Sequence, residues 1–140
     1  MKTYANNSCL PIKSDWDQKS LVPIDEFKNT ILHLAANVES LVSHEIVFYC
    51  MIMNLKDKNP RNNDGLTPLH ISALKGNLRI CELFLGYVEE KNPKDFLGRT
   101  PLHFAAMGGH LSVCRLITKN VTDTNPIDVH GQTPLYLAAR

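Results

Sequence analysis

The sequence predicts an all-α protein, a solenoid of stacked helix-turn-helix units separated by short turns or hairpins. Three observations support this prediction. A four-residue motif recurs at a fixed period, small residues follow each copy, and a polar stretch with a proline precedes each copy. A single unit of this size cannot bury its apolar face alone, whereas stacked units share a continuous core.

The repeated motif is Thr-Pro-Leu-His or a close variant. It stands at Thr67–His70, Thr100–His103 and Thr133–Tyr136, with 33 residues between successive copies. A degenerate copy, Thr30–His33, begins 37 residues before Thr67. Other positions agree in the same register: a proline seven residues before each threonine (Pro23, Pro60, Pro93 and Pro126) and an aspartate or asparagine five residues before it (Asp25, Asn62, Asp95 and Asp128). Agreement at so many independent positions establishes the repeat.

Each motif predicts the start of a helix. Thr67 suits the N-cap, and Pro68 suits the first helical position, where its missing N–H is not needed. We expect a short helix from Pro68 to Leu74, ended by a glycine in the left-handed conformation such as Gly76. A second helix follows in each unit, for example Leu111 to Lys119, because its apolar residues recur at helical spacing.

These patterns resemble the ankyrin repeat family. Asp95–His110 has the sequence D-x-x-G-x-T-P-L-H-x-A-A-x-x-G-H, an almost complete match, and Asn62–Asn77 matches with Ser72 and Asn77 substituted and with Asn62 in place of the aspartate. The resemblance covers about Pro23 to Arg140 and implies an L-shaped repeat of two antiparallel helices and a projecting β-hairpin. We expect an N-terminal arm at 1–22 and repeats at about 23–59, 60–92, 93–125 and, in part, 126–140.

Three departures from the family pattern concern the first unit and the two ends. The first copy has four extra residues within Asn37–Glu45, which predicts a longer inter-helix loop or an extended helix. The last copy stops at Arg140 inside its first helix, from which we expect the sequence to be a fragment of a longer protein. Met1–Val22 matches no repeat, so either Trp16 and Leu21 pack on the first unit or this arm is flexible.

Composition argues against several classes of function. The net charge of +1 provides no long-range field for nucleic acid. The longest apolar run, Ile46–Met53, is far shorter than the roughly 20 residues of a membrane-spanning helix. The start of the chain lacks the apolar run of a secretory signal, and the four cysteines form no CxxC pair. We therefore expect an intracellular, cytoplasmic protein that binds no nucleic acid, membrane interior or small-molecule ligand.

The residues that could suggest catalysis or metal binding recur once per repeat. His33, His70 and His103 should lie roughly 10 Å apart along the stack, whereas metal ligands converge on one ion at about 2 Å. We interpret these histidines as bridges between backbone groups of adjacent repeats. Cys81 and Cys114 are interpreted as reduced core thiols.

The aspartates Asp25, Asp95 and Asp128 are also separated by the repeat, so they cannot form a catalytic pair. We interpret them as turn residues whose carboxylates accept hydrogen bonds from nearby backbone N–H groups. The sequence therefore predicts no catalytic residues, no metal site and no cofactor.

The variable positions between the scaffold residues predict a surface for a protein partner. The resemblance implies a concave groove formed by hairpin tips and first helices. Grouped apolar side chains often mark an interaction site, and aromatic and arginine anchors carry much interface energy, so Phe96 and Arg99 are the best candidates. Alternatively, Phe96 or Leu97 packs hairpin to hairpin. The candidates are Asn63, Asp64, Leu66, Phe96, Leu97, Arg99, Val129, His130 and Gln132 on the hairpins, and Leu74, Lys75 and Met107 on the first helices.

The function predicted from these patterns is a non-catalytic protein–protein interaction module or scaffold. The alternative is a regulatory ankyrin segment of a larger multidomain protein, such as a channel, a kinase or a ubiquitin-ligase subunit. An enzyme is least favoured, because catalysis needs polar groups that converge in one pocket and the repeat spreads them apart.

Overall fold

A computed structural model describes residues 23–38 and 45–140, leaving out the side chains of residues 45–48 and Cys50. Within these residues the chain forms seven helices and no β-strand, which confirms the all-α prediction. The helices are α1 (Ile31–Ala36), α2 (Glu45–Asn54), α3 (Pro68–Lys75), α4 (Leu78–Tyr87), α5 (Pro101–Met107), α6 (Leu111–Asn120) and α7 (Pro134–Ala138).

The first helix of each unit begins at the motif threonine. Thr67 is the N-cap of α3 with an extended backbone, and Pro68 occupies the first turn, as predicted. Gly76 ends α3 at φ 72°, the left-handed conformation that glycine adopts without strain. Both α3 and α6 extend one residue beyond their predicted ends, to Lys75 and Asn120.

The first unit has a longer interval between its helices than the second unit. Helix α1 ends at Ala36 and α2 begins at Glu45, whereas only Gly76 and Asn77 separate α3 from α4. Because Asn37 caps the C-terminus of α1, the extra residues do not extend that helix. Residues 39–44 lie outside the described part of the chain.

Equivalent helices of successive units stack on one another. The first helices pack in the order α1, α3, α5, α7, and the second helices in the order α2, α4, α6. Alanines such as Ala73 and Ala105 are fully buried in the first-helix layer and allow close approach of neighbouring helices. The core runs through all units and includes Leu32, Leu69 and Leu102 of the motifs together with Ile80, Phe84, Val113 and Ile117 of the second helices.

Between the units the chain forms tight hairpin turns. Asp95 closes one of them, because its Oδ1 accepts the backbone N–H of Leu97 at 3.0 Å and of Arg99 at 2.7 Å. The Asp95 N–H also donates to the Arg99 carbonyl at 2.9 Å. Asp25, Asn62 and Asp128 accept equivalent pairs of hydrogen bonds in their own hairpins, which confirms that the aspartates are turn residues.

Neighbouring hairpins are also joined by backbone hydrogen bonds. One N–H near each tip donates to a carbonyl of the preceding hairpin. These bonds are Asn63 to Phe27 at 2.9 Å, Phe96 to Asp64 at 3.2 Å and Val129 to Leu97 at 2.9 Å. The hairpins therefore form a continuous row, defined here as the hairpin row, whose backbone is fixed from one unit to the next.

Candidate partner-binding surface

The motif histidines connect each unit to the next. His70 is fully buried, its Nδ1 accepts the Thr67 backbone N–H at 3.0 Å, and its Nε2 lies 3.0 Å from the Arg99 carbonyl. A backbone N–H can only donate and a carbonyl can only accept, so Nδ1 is unprotonated and Nε2 carries the hydrogen. His33 and His103 make the same contact with the carbonyls of Leu66, at 2.8 Å, and Gln132, at 3.0 Å. The predicted bridges are confirmed.

Burial keeps two of these rings neutral. It lowers the pKa of His70 from 6.5 to about 4, and it also lowers the pKa of His33. A protonated Nδ1 would face the Thr67 N–H, so the bridge requires the neutral ring. Across the described residues, no group of three His, Cys, Asp or Glu side chains could hold a metal ion.

Cys81 is a core thiol, as predicted. It is buried in α4, its Sγ donates to the Ser72 hydroxyl at 3.3 Å, and burial raises its pKa to about 11. Cys114 is half-buried in α6, and burial raises its pKa as well. Both are free thiols held in the uncharged, unreactive form. Cys9 lies outside the described residues.

The twelve predicted contact residues fall into two groups by exposure. Three have half-buried side chains: Leu66, Arg99 and Gln132. All three precede a motif threonine, and their carbonyls are the acceptors of the histidine bridges. Nine are exposed: Asn63, Asp64, Leu74, Lys75, Phe96, Leu97, Met107, Val129 and His130.

Arg99 is engaged within its own unit. Its guanidinium lies 2.7 Å from Asp95 Oδ2, and its Cζ stands 4.7 Å from the centre of the Phe104 ring. This arrangement was not predicted from the sequence, although the spacing of Asp95 and Arg99 on opposite sides of a turn indicates it. The arginine therefore stabilises the hairpin, and only part of its side chain is available to a partner.

Phe96 is both packed and exposed. Its ring lies against Gly65 of the preceding hairpin, where an added Cβ would come within 2.7 Å of Phe96 Cδ1. The side chain is nevertheless 69% exposed, the largest exposed fraction among the large hydrophobic side chains of the hairpin row. The alternative of hairpin packing thus holds in part, since the packing orients a ring that remains open to solvent. The partner contact of Phe96 stays a prediction.

One comparison with known proteins decides the family. A family model described as ankyrin repeats (3 copies) matches residues 8–95 and again residues 73–140. The chain belongs to the ankyrin repeat family. Ankyrin repeats are generally protein–protein interaction modules, and the family is generally non-catalytic. A comparison with curated proteins found no match.

The hairpin row of this ankyrin stack carries further exposed apolar side chains at its ends. Phe27 is 56% exposed and Ile127 is 58% exposed. Phe27 was not predicted as a surface contact because it lies in the degenerate first copy. Its register was a usable signal, since Phe27 and Leu97 both stand two residues after the turn aspartate.

His110 makes a second kind of contact between ankyrin repeats that sequence analysis also missed. Its Nε2 donates to the Leu74 carbonyl at 2.8 Å, and its ring covers Gly76 and Gly108. One unit earlier, Asn77 at the equivalent position donates to the Val38 carbonyl at 2.9 Å. The usable signal was the Gly-His and Gly-Asn pair at the same register.

Every helix among the residues described is too short or too polar to cross a lipid bilayer.

Proposed function

We propose that this chain is a non-catalytic module that binds another protein through the hairpin row and the adjoining first-helix surface. The observation that carries the proposal is a group of exposed apolar side chains on this fixed backbone. Phe96 is 69% exposed, Val129 62%, Met107 46% and Leu97 43%. Grouped apolar side chains on a solvated surface are typical of protein interaction sites.

The rigidity of the hairpin row supports binding without large rearrangement. Each tip is held by its own turn and by a backbone hydrogen bond to the preceding tip. A surface that is ordered before binding loses little conformational entropy when the partner docks. Phe96 is the strongest anchor candidate, because aromatic side chains dominate interface energies and its ring is already oriented by Gly65.

The proposed interface includes all twelve predicted residues, which have two different roles. The nine exposed side chains contact the partner directly. Leu66, Arg99 and Gln132 stand behind them with half-buried side chains, and their backbone carbonyls accept the histidine bridges that position each hairpin. Mixed polar residues such as Asp64, Lys75 and His130 surround the apolar group, which suits a protein surface better than a lipid surface.

The environment of the reactive side chains supports a non-catalytic role. Burial lowers the pKa of His70 to about 4, so at neutral pH its ring is uncharged and poorly suited to relay protons. Burial raises the pKa of Cys81 to about 11, so at neutral pH it is a thiol and not the thiolate that a nucleophile requires. The free thiols of Cys81 and Cys114 support a reducing compartment, and we propose that the protein works inside the cell.

The test begins with affinity purification of the full chain, which identifies a partner whose dissociation constant is then measured. Phe96→Asp and Val129→Asp should each raise that constant about tenfold or more, a loss of about 1.4 kcal/mol. Leu111→Asp is the matched control, because Leu111 is as exposed as Val129, at 62%, but lies on α6 outside the hairpin row. If all three variants bound the partner with equal affinity and had unchanged circular dichroism spectra, the proposal that the hairpin row forms the interface would be contradicted.

The alternative, a regulatory ankyrin segment of a larger channel, kinase or ubiquitin-ligase subunit, would use the same surface and stays a prediction.

A further inference from the structure

Two tyrosines from different units meet on the second-helix side of the stack. Tyr49 is in α2, and Tyr87 is the last residue of α4. Their ring centres lie 5.6 Å apart with the ring planes at 73°, which is an edge-to-face contact. The pair lies outside the hairpin row and the first helices, so the proposed function does not use it.

The tyrosine pair is not part of the repeated scaffold. One period of 33 residues leads from Tyr49 to Glu82 and from Tyr87 to Asn120. Glu82 forms an ion pair with Arg79 of its own helix at 2.8 Å. A contact that serves only the stacking of units is expected to recur at the repeat period. The pair is therefore specific to the interface between the first and second units.

The two phenol groups also share a hydrogen bond. The pKa of Tyr87 is raised, first by this bond with the Tyr49 side chain and then by burial. Tyrosyl radicals couple at the ring carbon next to the one that carries the hydroxyl, so a hydrogen bond between the hydroxyls brings the reacting carbons close together. Tyr87 is 36% exposed, and a Cβ added at the neighbouring Gly86 would meet nothing within 4 Å. The ring therefore has access to an oxidant and open space beside it.

We propose that Tyr49 and Tyr87 form a site of oxidative cross-linking, at which hydrogen peroxide and a haem peroxidase join them as dityrosine. Each phenol loses one electron and its hydroxyl proton and becomes a tyrosyl radical. The two radicals form a carbon–carbon bond between their ortho ring carbons, and the hydrogen on each of these carbons then moves to the phenol oxygen. In total each tyrosine loses one hydrogen atom, and one molecule of peroxide is reduced to two molecules of water.

The core thiols do not divert the oxidant from this site. Burial raises the pKa of Cys81 to about 11 and also raises the pKa of Cys114, so both are protonated at neutral pH. Peroxide reacts with the thiolate and not with the thiol. The two phenols therefore remain available to the peroxidase.

Peptide mapping of the oxidised full-length protein tests the proposal. Trypsin cleaves after lysine and arginine, so Tyr49 is the only tyrosine of peptide 29–56 and Tyr87 the only tyrosine of peptide 80–91. After treatment with peroxide and a haem peroxidase, we expect dityrosine fluorescence in the monomer. We also expect a conjugate of these two peptides whose mass is lower than their sum by two hydrogen atoms. Absence of this conjugate, or dityrosine that is found only in dimers, would overturn the proposal.

Conservative variants assign the cross-link to the pair. Tyr49→Phe and Tyr87→Phe keep the ring and remove the hydroxyl, so each should abolish the conjugate and the dityrosine fluorescence of the monomer. Tyr136→Phe is the matched control, because Tyr136 is 53% exposed on α7, and it should leave both unchanged. Monomer fluorescence that persists in both pair variants would place the cross-link elsewhere and contradict the assignment.

The cross-link should also stabilise the first two units against unfolding. It closes a loop between residues 49 and 87, which lowers the conformational entropy of the unfolded chain. The urea midpoint of the wild type should therefore rise on oxidation, and that of Tyr87→Phe should not change. An equal rise in both proteins would contradict a stabilising cross-link. Partner affinity is not measured in these experiments, so their outcome is separate from that of the proposed function.

Discussion

At the scale of single residues, His70 joins two units because its ring nitrogens differ in protonation. One nitrogen accepts from Thr67 within its own unit, and the other donates to Arg99 of the next. Tyr136 replaces this histidine in the last copy, and there the Thr133 hydroxyl accepts the Tyr136 backbone N–H at 3.2 Å. A tyrosine thus leaves the helix cap in place.

The bridge makes stability depend on pH. The folded pKa of His70 is about 4 and the unfolded value is 6.5, so its contribution is fully present above pH 6.5. As the pH falls towards 4, the unfolded chain binds a proton that the folded chain does not, and the free energy of unfolding should fall by on the order of 3 kcal/mol. The lowered pKa of His33 acts in the same direction. Urea titrations between pH 7.5 and 4 measure the change.

Two variants isolate the contribution of His70 from the other titrating groups. His70→Gln keeps a donor and an acceptor but removes the titratable ring, so its stability should fall less steeply over the same pH range. His130→Gln makes the same exchange at an exposed ring that bridges no units, and it is the control for the change of side chain. Parallel slopes for His70→Gln and wild type would contradict the assignment.

Arg99 illustrates how far the sequence predicts a single side chain. Its position before the motif threonine indicated a variable surface residue, and its exposed fraction is consistent with this in part. Its ion pair with Asp95 and its contact with Phe104 depend on how closely a hairpin approaches the next helix. That distance arises from stacking and is not encoded locally. For this reason Arg99→Asp would disturb the hairpin, and Phe96→Asp is the cleaner test of binding.

At the scale of the helices, glycine decides where the first helix of the second unit ends. Gly76 has φ 72°, and the His110 ring fills the space that a Cβ would need. The sequence predicted the end of α3 to within one residue, because N-cap threonine, proline and glycine are local signals. It did not predict the ring, since His110 comes from the following unit.

Gly76→Ala should therefore lower the free energy of unfolding by about 2 kcal/mol or more, from backbone strain at positive φ together with displacement of His110. Gly86→Ala is the matched control inside α4, where an added Cβ has nothing within 4 Å. That variant should raise the free energy of unfolding by about 0.5–1 kcal/mol through helix propensity. Denaturant titrations measure both, and equal effects would contradict the account of Gly76.

At the scale of the whole molecule, stability should follow position in the stack. Helix α5 packs between α3 and α7, and its Leu102 and Phe104 are buried. Helix α7 has the same motif, but Leu135 is 78% exposed and Tyr136 is 53% exposed. Local signals predicted both helices equally well, and only the number of packed neighbours distinguishes them.

Amide exchange should reveal this difference. The Phe104 N–H donates to Thr100 at 3.4 Å, and the Leu137 N–H donates to Thr133 at 3.1 Å in the same register. We expect the Leu137 amide to exchange at least about tenfold faster despite its shorter hydrogen bond, because opening α7 exposes less buried surface. Exchange measured by NMR and corrected for intrinsic rates provides the test. Equal protection would mean that the stack opens as one cooperative unit.

The acceptors of the histidine bridges have a consequence for how such a chain can change over time. Leu66, Arg99 and Gln132 are chemically unlike, yet each offers the same backbone oxygen to the imidazole of the preceding unit. The hydrogen bond between histidine and carbonyl that joins two units therefore does not depend on which side chain stands at that position. A 33-residue segment duplicated or deleted in frame would find a compatible neighbour on either side, so the length of the array and the identity of its surface can evolve separately.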